Sequence, residues 1–101
     1  MPDKKALLVI NAIVNKENMA EVQSYLGQIM PVFGENGGKP VGRYKTIQQL
    51  AGENGPEMIA MVEFSSPEVI NEVINGEDFK ALADLRAKAF TKLNMMICLA
   101  M

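Results

Sequence analysis

Three stretches of this chain are apolar at consecutive positions rather than at every second one: Ala6 to Val14, Met58 to Val62 and Met95 to Leu99. Short runs of this kind, bounded by turn residues, predict strands with hydrophobic side chains on both faces. The pattern places a first strand at Lys5–Val14, a third at Glu57–Phe64 and a fourth at Leu93–Ala100. A second strand, Lys39–Leu50, reads differently. Val41, Arg43, Lys45 and Ile47 fall on one side of it, and Gly42, Tyr44 and Thr46 on the other. That mixed polarity, together with a proline at position 40 that cannot donate to a ladder, predicts an edge strand.

Between the strands the hydrophobic period changes to that of helices. Met19, Val22, Leu26, Ile29 and Met30 recur at three and four residues, predicting a helix over Lys16–Met30 with Tyr25 at the margin of its stripe. Asn15 caps it, or Asn18 does so in a capping box with Glu21. Pro31 ends or kinks this helix, because it removes a backbone hydrogen bond. Asn36-Gly37-Gly38 and Gly52-Glu53-Asn54-Gly55-Pro56 are turns. Ser65 and Ser66 before Pro67 open a short helix carrying Val69, Ile70, Val73 and Ile74, which stops at Asn75-Gly76. A last helix is predicted over Asp78–Lys92. The chain, 101 residues long, contains no repeat or linker and fits a single domain, 1–101. Strand, helix, strand, strand, helices, strand is the order of an α+β ferredoxin-like βαββαβ fold, one antiparallel sheet with its helices on one face.

Such a sheet should alternate apolar inward and polar outward, and strands one, three and four do not. Their second face would leave apolar side chains in water, a patch rare on monomers. No spare segment covers it. A second copy packed sheet to sheet about a two-fold axis does, giving a homodimer in the form of a dimeric α+β barrel.

Composition narrows the chemistry. Ten basic and twelve acidic residues give a net charge of −2 and build no basic stripe, so nucleic acid is not expected as a partner. Gly37-Gly38 is too short for a nucleotide cradle. The apolar run after Lys4 and Lys5 resembles a signal peptide, but Asn11 interrupts it, no small-residue cleavage site follows, and it is too short to span a bilayer. The expectation is a soluble cytoplasmic protein without a membrane segment. Cys98 is the only cysteine, which excludes an internal disulfide and fits a reducing compartment. The absence of histidine removes serine–histidine and cysteine–histidine catalysis and the commonest metal ligand; no metal or cofactor is expected. The eight methionines fill core and interface gaps.

Five residues are candidates for a site. Arg86 falls within the apolar face of the last helix, among Phe79, Leu82, Ala83, Leu85, Ala89, Phe90 and Leu93. There it must meet a carboxylate, backbone carbonyls or a ligand anion, as a structural pair or a binding group. Asn11, a polar side chain inside an apolar strand, is either a satisfied core amide or a group that orients a carbonyl or enolate. Glu63 ends the third strand as a partner for Arg86 or Arg43, a general base, or an exposed carboxylate. Arg43 and Tyr44 face opposite sides of the edge strand, so that one can line a cavity while the other meets solvent or a partner subunit.

Tyr25 through Pro31-Val32-Phe33, Gly37-Gly38-Lys39, Glu63-Phe64-Ser65-Ser66-Pro67, and Phe79-Lys80-Ala81-Leu82 through Leu85-Arg86 together resemble domain of unknown function 1330 over most of the chain. The resemblance implies a dimeric α+β barrel akin to cofactor-independent monooxygenases, muconolactone-isomerase-like proteins and stress-responsive barrel proteins. It supplies no reaction, since no activity defines the family. Arg86 falls on the family's helix arginine. Phe79 stands where a tyrosine is common, and Leu50-Ala51-Gly52 lacks an acidic residue usual before the glycine. If those groups bind substrate in relatives, this member binds something else or nothing. The leading expectation is a cofactor-independent small-molecule enzyme or binding protein, taking a small anionic or carbonyl-containing ligand in a pocket between helices and sheet. The alternative is a non-catalytic dimeric interaction or regulatory module.

Overall fold

The computed structural model describes residues 5–101. Lys4, part of the argument about the first apolar run, lies outside them. The elements are β1 (Ala6–Val14), a 3-10 turn (Lys16–Asn18), α1 (Met19–Glu35), β2 (Lys39–Lys45), β3 (Met58–Phe64), α2 (Pro67–Ile74), α3 (Glu77–Lys80), α4 (Ala83–Ala89) and β4 (Phe90–Leu99). They form a four-stranded antiparallel sheet in the order β2-β3-β1-β4, the ferredoxin-like arrangement. Every helix packs on one face, and the chain is only 17 Å across its thinnest axis, the depth of one sheet and one helix layer.

Antiparallel register decides which side chain faces which layer. Ala6, Leu8, Ile10 and Ala12 of β1 share a face with Val62 and Phe64 of β3, all at 8% exposure or less beneath Val22, Tyr25, Ile29, Phe33, Ile70 and Val73. The alternate positions Leu7, Val9, Ile13, Ile59, Met61 and Met96 look the other way, and no helix of this chain covers them. Both faces of the central strands are therefore apolar.

Local capping follows side-chain chemistry. Asn15 accepts from the Glu17 amide and caps the 3-10 turn. Asn18 makes no cap bond with its side chain and donates instead to the Lys88 carbonyl at 3.0 Å, so the Asn18–Glu21 box does not form. Ser66 accepts from the Val69 amide, with Pro67 in the first turn of α2.

Four expectations need correction. Helix α1 does not end at Pro31 but runs on to Glu35, because the turn beyond the proline carries Phe33, 1% exposed and edge-on to Phe64. That burial offsets the lost backbone bond. The same extension moves the centre of the buried stripe, so Tyr25, at 3% exposure, is core rather than margin, while Met19 is exposed. Strand β2 stops at Lys45, not Leu50; residues 46–57 form a loop closed by Gln49, which accepts from the Gly55 amide and donates to the Ala51 carbonyl. Asn54 and Gly52 supply its positive φ angles. Last, the helix expected over Asp78–Lys92 is broken after Lys80, and its final residues Phe90, Thr91 and Lys92 already belong to β4.

Candidate functional site

Helix α1 lies over β1 and β3 but does not reach the edge strand β2. A bulge at Val41 shifts the β2 register between Pro40 and Gly42. The result is a cleft of about 420 Å³ between α1 and β2. Tyr25, Leu26, Ile29, Met30 and Phe33 of α1 roof it; Ile10, Met58, Ala60 and Val62 form its floor; Pro40 to Arg43 make the outer wall. Its volume is that of ordinary small-molecule sites. Arg43, paired in register with the small Ala60, is the one charged residue in that lining and is itself exposed.

Arg86 lines neither this cleft nor the one beside it. Its Nε donates to Tyr25 Oη at 3.0 Å and its Nη2 to the Phe79 carbonyl at 2.6 Å. The guanidinium lies 3.8 Å from the Phe79 ring centroid and 5.4 Å from that of Tyr25. No carboxylate pairs with it among the described residues, where the ion pairs are Lys5–Glu63 and Lys16–Glu57. Aromatic faces and a carbonyl thus balance the cation. The Phe79 carbonyl also accepts from the Leu82 amide, so Arg86 fastens the break between α3 and α4. Burial raises the Tyr25 pKa above its ordinary value of 10.0, although the Arg86 hydrogen bond and charge oppose the shift.

The other candidates lie apart. Asn11 sits on the uncovered sheet face, opposite Asn94 and Ile59 in register, and Glu63 is on that face in an exposed 3.5 Å pair with Lys5. Within one chain neither meets Arg86, which is on the helix side. Arg43 and Tyr44 do face opposite ways: Arg43 pairs with Ala60 on the helix side, Tyr44 with Ile59 on the open side. The Tyr44 ring lies across Gly42, where a Cβ would collide with it.

A second cleft, about 490 Å³, adjoins the first and shares Arg43 and Met58 with it. It gathers Val14, Lys16 and Met19 around the start of α1, Arg43 to Thr46 from β2, and Glu57 and Met58 from the start of β3. Sequence reasoning missed Tyr25, Lys16, Lys45 and Glu57 as site residues. Only a register shows that these separated positions converge. Among the described residues no group of three or more histidine, cysteine or acidic side chains is placed to hold a metal, and no helix is long and apolar enough to cross a membrane.

A four-stranded ferredoxin-like sheet with helices on one face and an apolar cleft beneath the first helix defines the class of protein. The family model described as Domain of unknown function (DUF1330) matches residues 5–101, and the chain belongs to that family. No curated protein matches the chain. Among solved structures it is similar to a protein of unknown function from Rhodopseudomonas palustris, with 16% identity, a TM-score of 0.80, and 98% of this chain and 84% of that one covered. It is also similar to SnoaB, a cofactor-independent oxygenase from Streptomyces nogalater: 11% identity, TM-score 0.70, 97% and 94% covered. A dimeric protein of unknown function with a ferredoxin-like fold from Bacteroides fragilis has 9% identity, a TM-score of 0.64, and 95% and 96% covered. At these identities the likeness is one of fold.

Proposed function

We propose that this protein is a homodimer that binds a small, mostly apolar molecule in the cleft beneath α1, with Arg43 holding an anionic or carbonyl oxygen at its edge. The observation that carries this reading is an apolar cleft of about 420 Å³ with a single charged lining residue. An apolar interior with few polar groups is the usual make-up of a ligand site. Arg43 takes the part first considered for Arg86, which lines neither cleft and donates to Tyr25 and Phe79. Tyr25 Oη accepts from Arg86 and so retains its own proton, available to a ligand oxygen. A module with a purely structural role would not need an unfilled cleft.

Binding fits the lining better than base-initiated catalysis by one chain. No carboxylate or histidine lines the cleft, and Tyr25 stays protonated at neutral pH. The oxygenase activity of SnoaB shares this fold without a cofactor. Chemistry of that kind here would need a ligand that is already acidic or conjugated. The dimer is supported by the two-faced apolar strands and by the dimeric relative from Bacteroides fragilis.

Calorimetric titration with octanoate tests the reading. Octanoate is expected to bind the wild type, Ala60→Phe, which fills the cleft floor, to abolish binding, and Arg43→Met to weaken it about tenfold, or about 1.4 kcal/mol. Unchanged octanoate affinity in a folded Ala60→Phe variant would overturn it.

A further inference from the structure

One polar pair interrupts the open face of the sheet. Register sets Asn11 of β1 directly beside Asn94 of β4 and, on its other side, beside Ile59 of β3. A row of Val9, Met61 and Met96 lies to one side of the pair, and Ile13 to the other. Strand β1 is an inner strand, so Asn11 stands in the body of the face and not at its lateral edge. It is half-buried even in the single chain, whereas Asn94 is exposed. Among the described residues neither side chain has a hydrogen-bond partner within its own chain.

The homodimer proposed above lays a second sheet on this face and takes both amides out of water. Each amide carries two N–H donors and an oxygen with two lone pairs, and buried groups of this kind are nearly always hydrogen-bonded. Two neighbouring amides satisfy only part of that capacity between them. Other polar side chains of the face are placed elsewhere. Glu63 pairs with Lys5 at 3.5 Å towards one end of the strands, Lys92 is exposed towards the other, and the Tyr44 ring turns back over Gly42. Near a two-fold axis a surface meets its own copy, so it must be self-complementary there. An amide pair meets that condition, because it offers donors and acceptors in equal measure. A lysine or a glutamate does not.

We propose that the two-fold axis of the dimer passes through this row, and that the Asn11–Asn94 pair of one copy hydrogen-bonds to the partner's Asn11 and the partner's Asn94. The inference rests on the homodimer reading and adds to it the position of the axis and the groups that fix it. Apolar contacts between the flanking rows supply the attraction but tolerate sliding, since hydrophobic contact is non-directional and methionine adapts its shape. The amides do not tolerate it. A slip of one row, about 7 Å along a strand, sets them against the partner's Val9 and leaves them buried without partners. One polar pair in an apolar contact thereby selects a single register, at a cost in raw affinity.

The experiment uses two variants of the full chain, Asn11→Asp and Asn11→Lys, alone and mixed in equal amounts. The salt is about 0.15 M, where charges more than about 8 Å apart are largely screened. In sedimentation equilibrium each variant alone is expected to have a dissociation constant at least about 100-fold above that of the wild type, because like charges face each other at the axis. Native mass spectrometry of the mixture is expected to show about nine-tenths or more of the dimers as heterodimer, against about half for random pairing. Random pairing would overturn the proposal, and so would either variant dimerising alone as tightly as the wild type. Helical circular dichroism checks the fold of each chain. If a charge at the half-buried position 11 unfolds it, Asn94→Asp and Asn94→Lys, at an exposed position, carry the same comparison. A monomeric wild type removes the dimer and this assignment together; a dimeric wild type with random pairing of the variants removes the assignment alone.

Discussion

Arg86 and Tyr25 hold each other in place from opposite sides of the helix layer. The guanidinium rests on Phe79, donates to Tyr25 Oη and closes the break between α3 and α4 through the Phe79 carbonyl. Tyr25 in turn lines the first cleft, and Arg86 acts on that cleft only through it. This arrangement has a pH signature. Tyr25 is neutral when protonated and its pKa in the folded chain is raised above 10.0, so the native state holds its proton where the unfolded chain has lost it. The associated stability is complete below pH 10.0 and is lost as the pH climbs through the folded-state value. The sequence has two tyrosines; in Tyr44→Phe, Tyr25 is the only one left. Near-ultraviolet absorbance of that variant should show tyrosine ionisation above pH 10.0, together with loss of helical circular dichroism. Ionisation at or below that pH with the fold intact would contradict the buried position. The presence of a half-buried cation was legible from Arg86 amid apolar neighbours, but its partners lie 61 and 7 residues away, and no local pattern names them.

At the scale of elements, helix α1 shows burial overriding propensity. Proline inside a helix costs about 3 kcal/mol, since the bond to the residue four back is lost and the ring crowds that carbonyl. Here the preceding turn presents Gly27, an open position, and the following turn buries Phe33 against Phe64. Packing an aromatic side chain is worth a similar amount. Pro31→Ala, at an exposed site, should therefore stabilise the protein by about 1–3 kcal/mol, read from the midpoint of urea unfolding. A lower midpoint would show that the proline serves a purpose beyond tolerance. The loop of residues 46–57 taught the opposite lesson. Its polar and apolar residues alternate well enough to extend β2 on paper. In the structure Ile47 and Leu50 are 93% and 87% exposed, with no strand for them to pair beyond Lys45. The two clefts owe their form to where β2 bulges and ends, and neither event has a reliable local signal.

For the whole molecule, the deciding feature is a sheet with helices on one side and hydrophobic residues on both. Fully burying a valine, leucine, isoleucine or methionine side chain is worth about 1.5–3 kcal/mol. Leu7, Val9, Ile59, Met61 and Met96 on the open face therefore supply a large incentive for association once a second sheet covers them. Sedimentation at micromolar concentration should give a particle of twice 11.1 kDa. Val9→Glu, central on that face and in the lining of neither cleft, should give an 11.1 kDa monomer with altered solubility but an intact helix layer. A wild-type monomer would remove the dimer from the functional proposal and leave the clefts of the single chain untouched.

Local sequence signals determined the strand and helix order and the two-sided apolar character of the central strands through hydrophobic periodicity, the edge position of β2 through its mixed polarity and Pro40, and the capping of α2 through Ser66 and Pro67. These are consequences of backbone geometry acting over a few residues at a time. Tertiary structure decided the rest: the survival of α1 past Pro31, the break above Arg86, the separation of Asn11 and Glu63 from Arg86 by the thickness of the sheet, and the meeting of Lys16, Arg43, Lys45 and Glu57 around one space. Such features depend on strand register and on which side chains can be buried together. Both are settled by contacts between distant parts of the chain, where a single bulge redirects every side chain that follows.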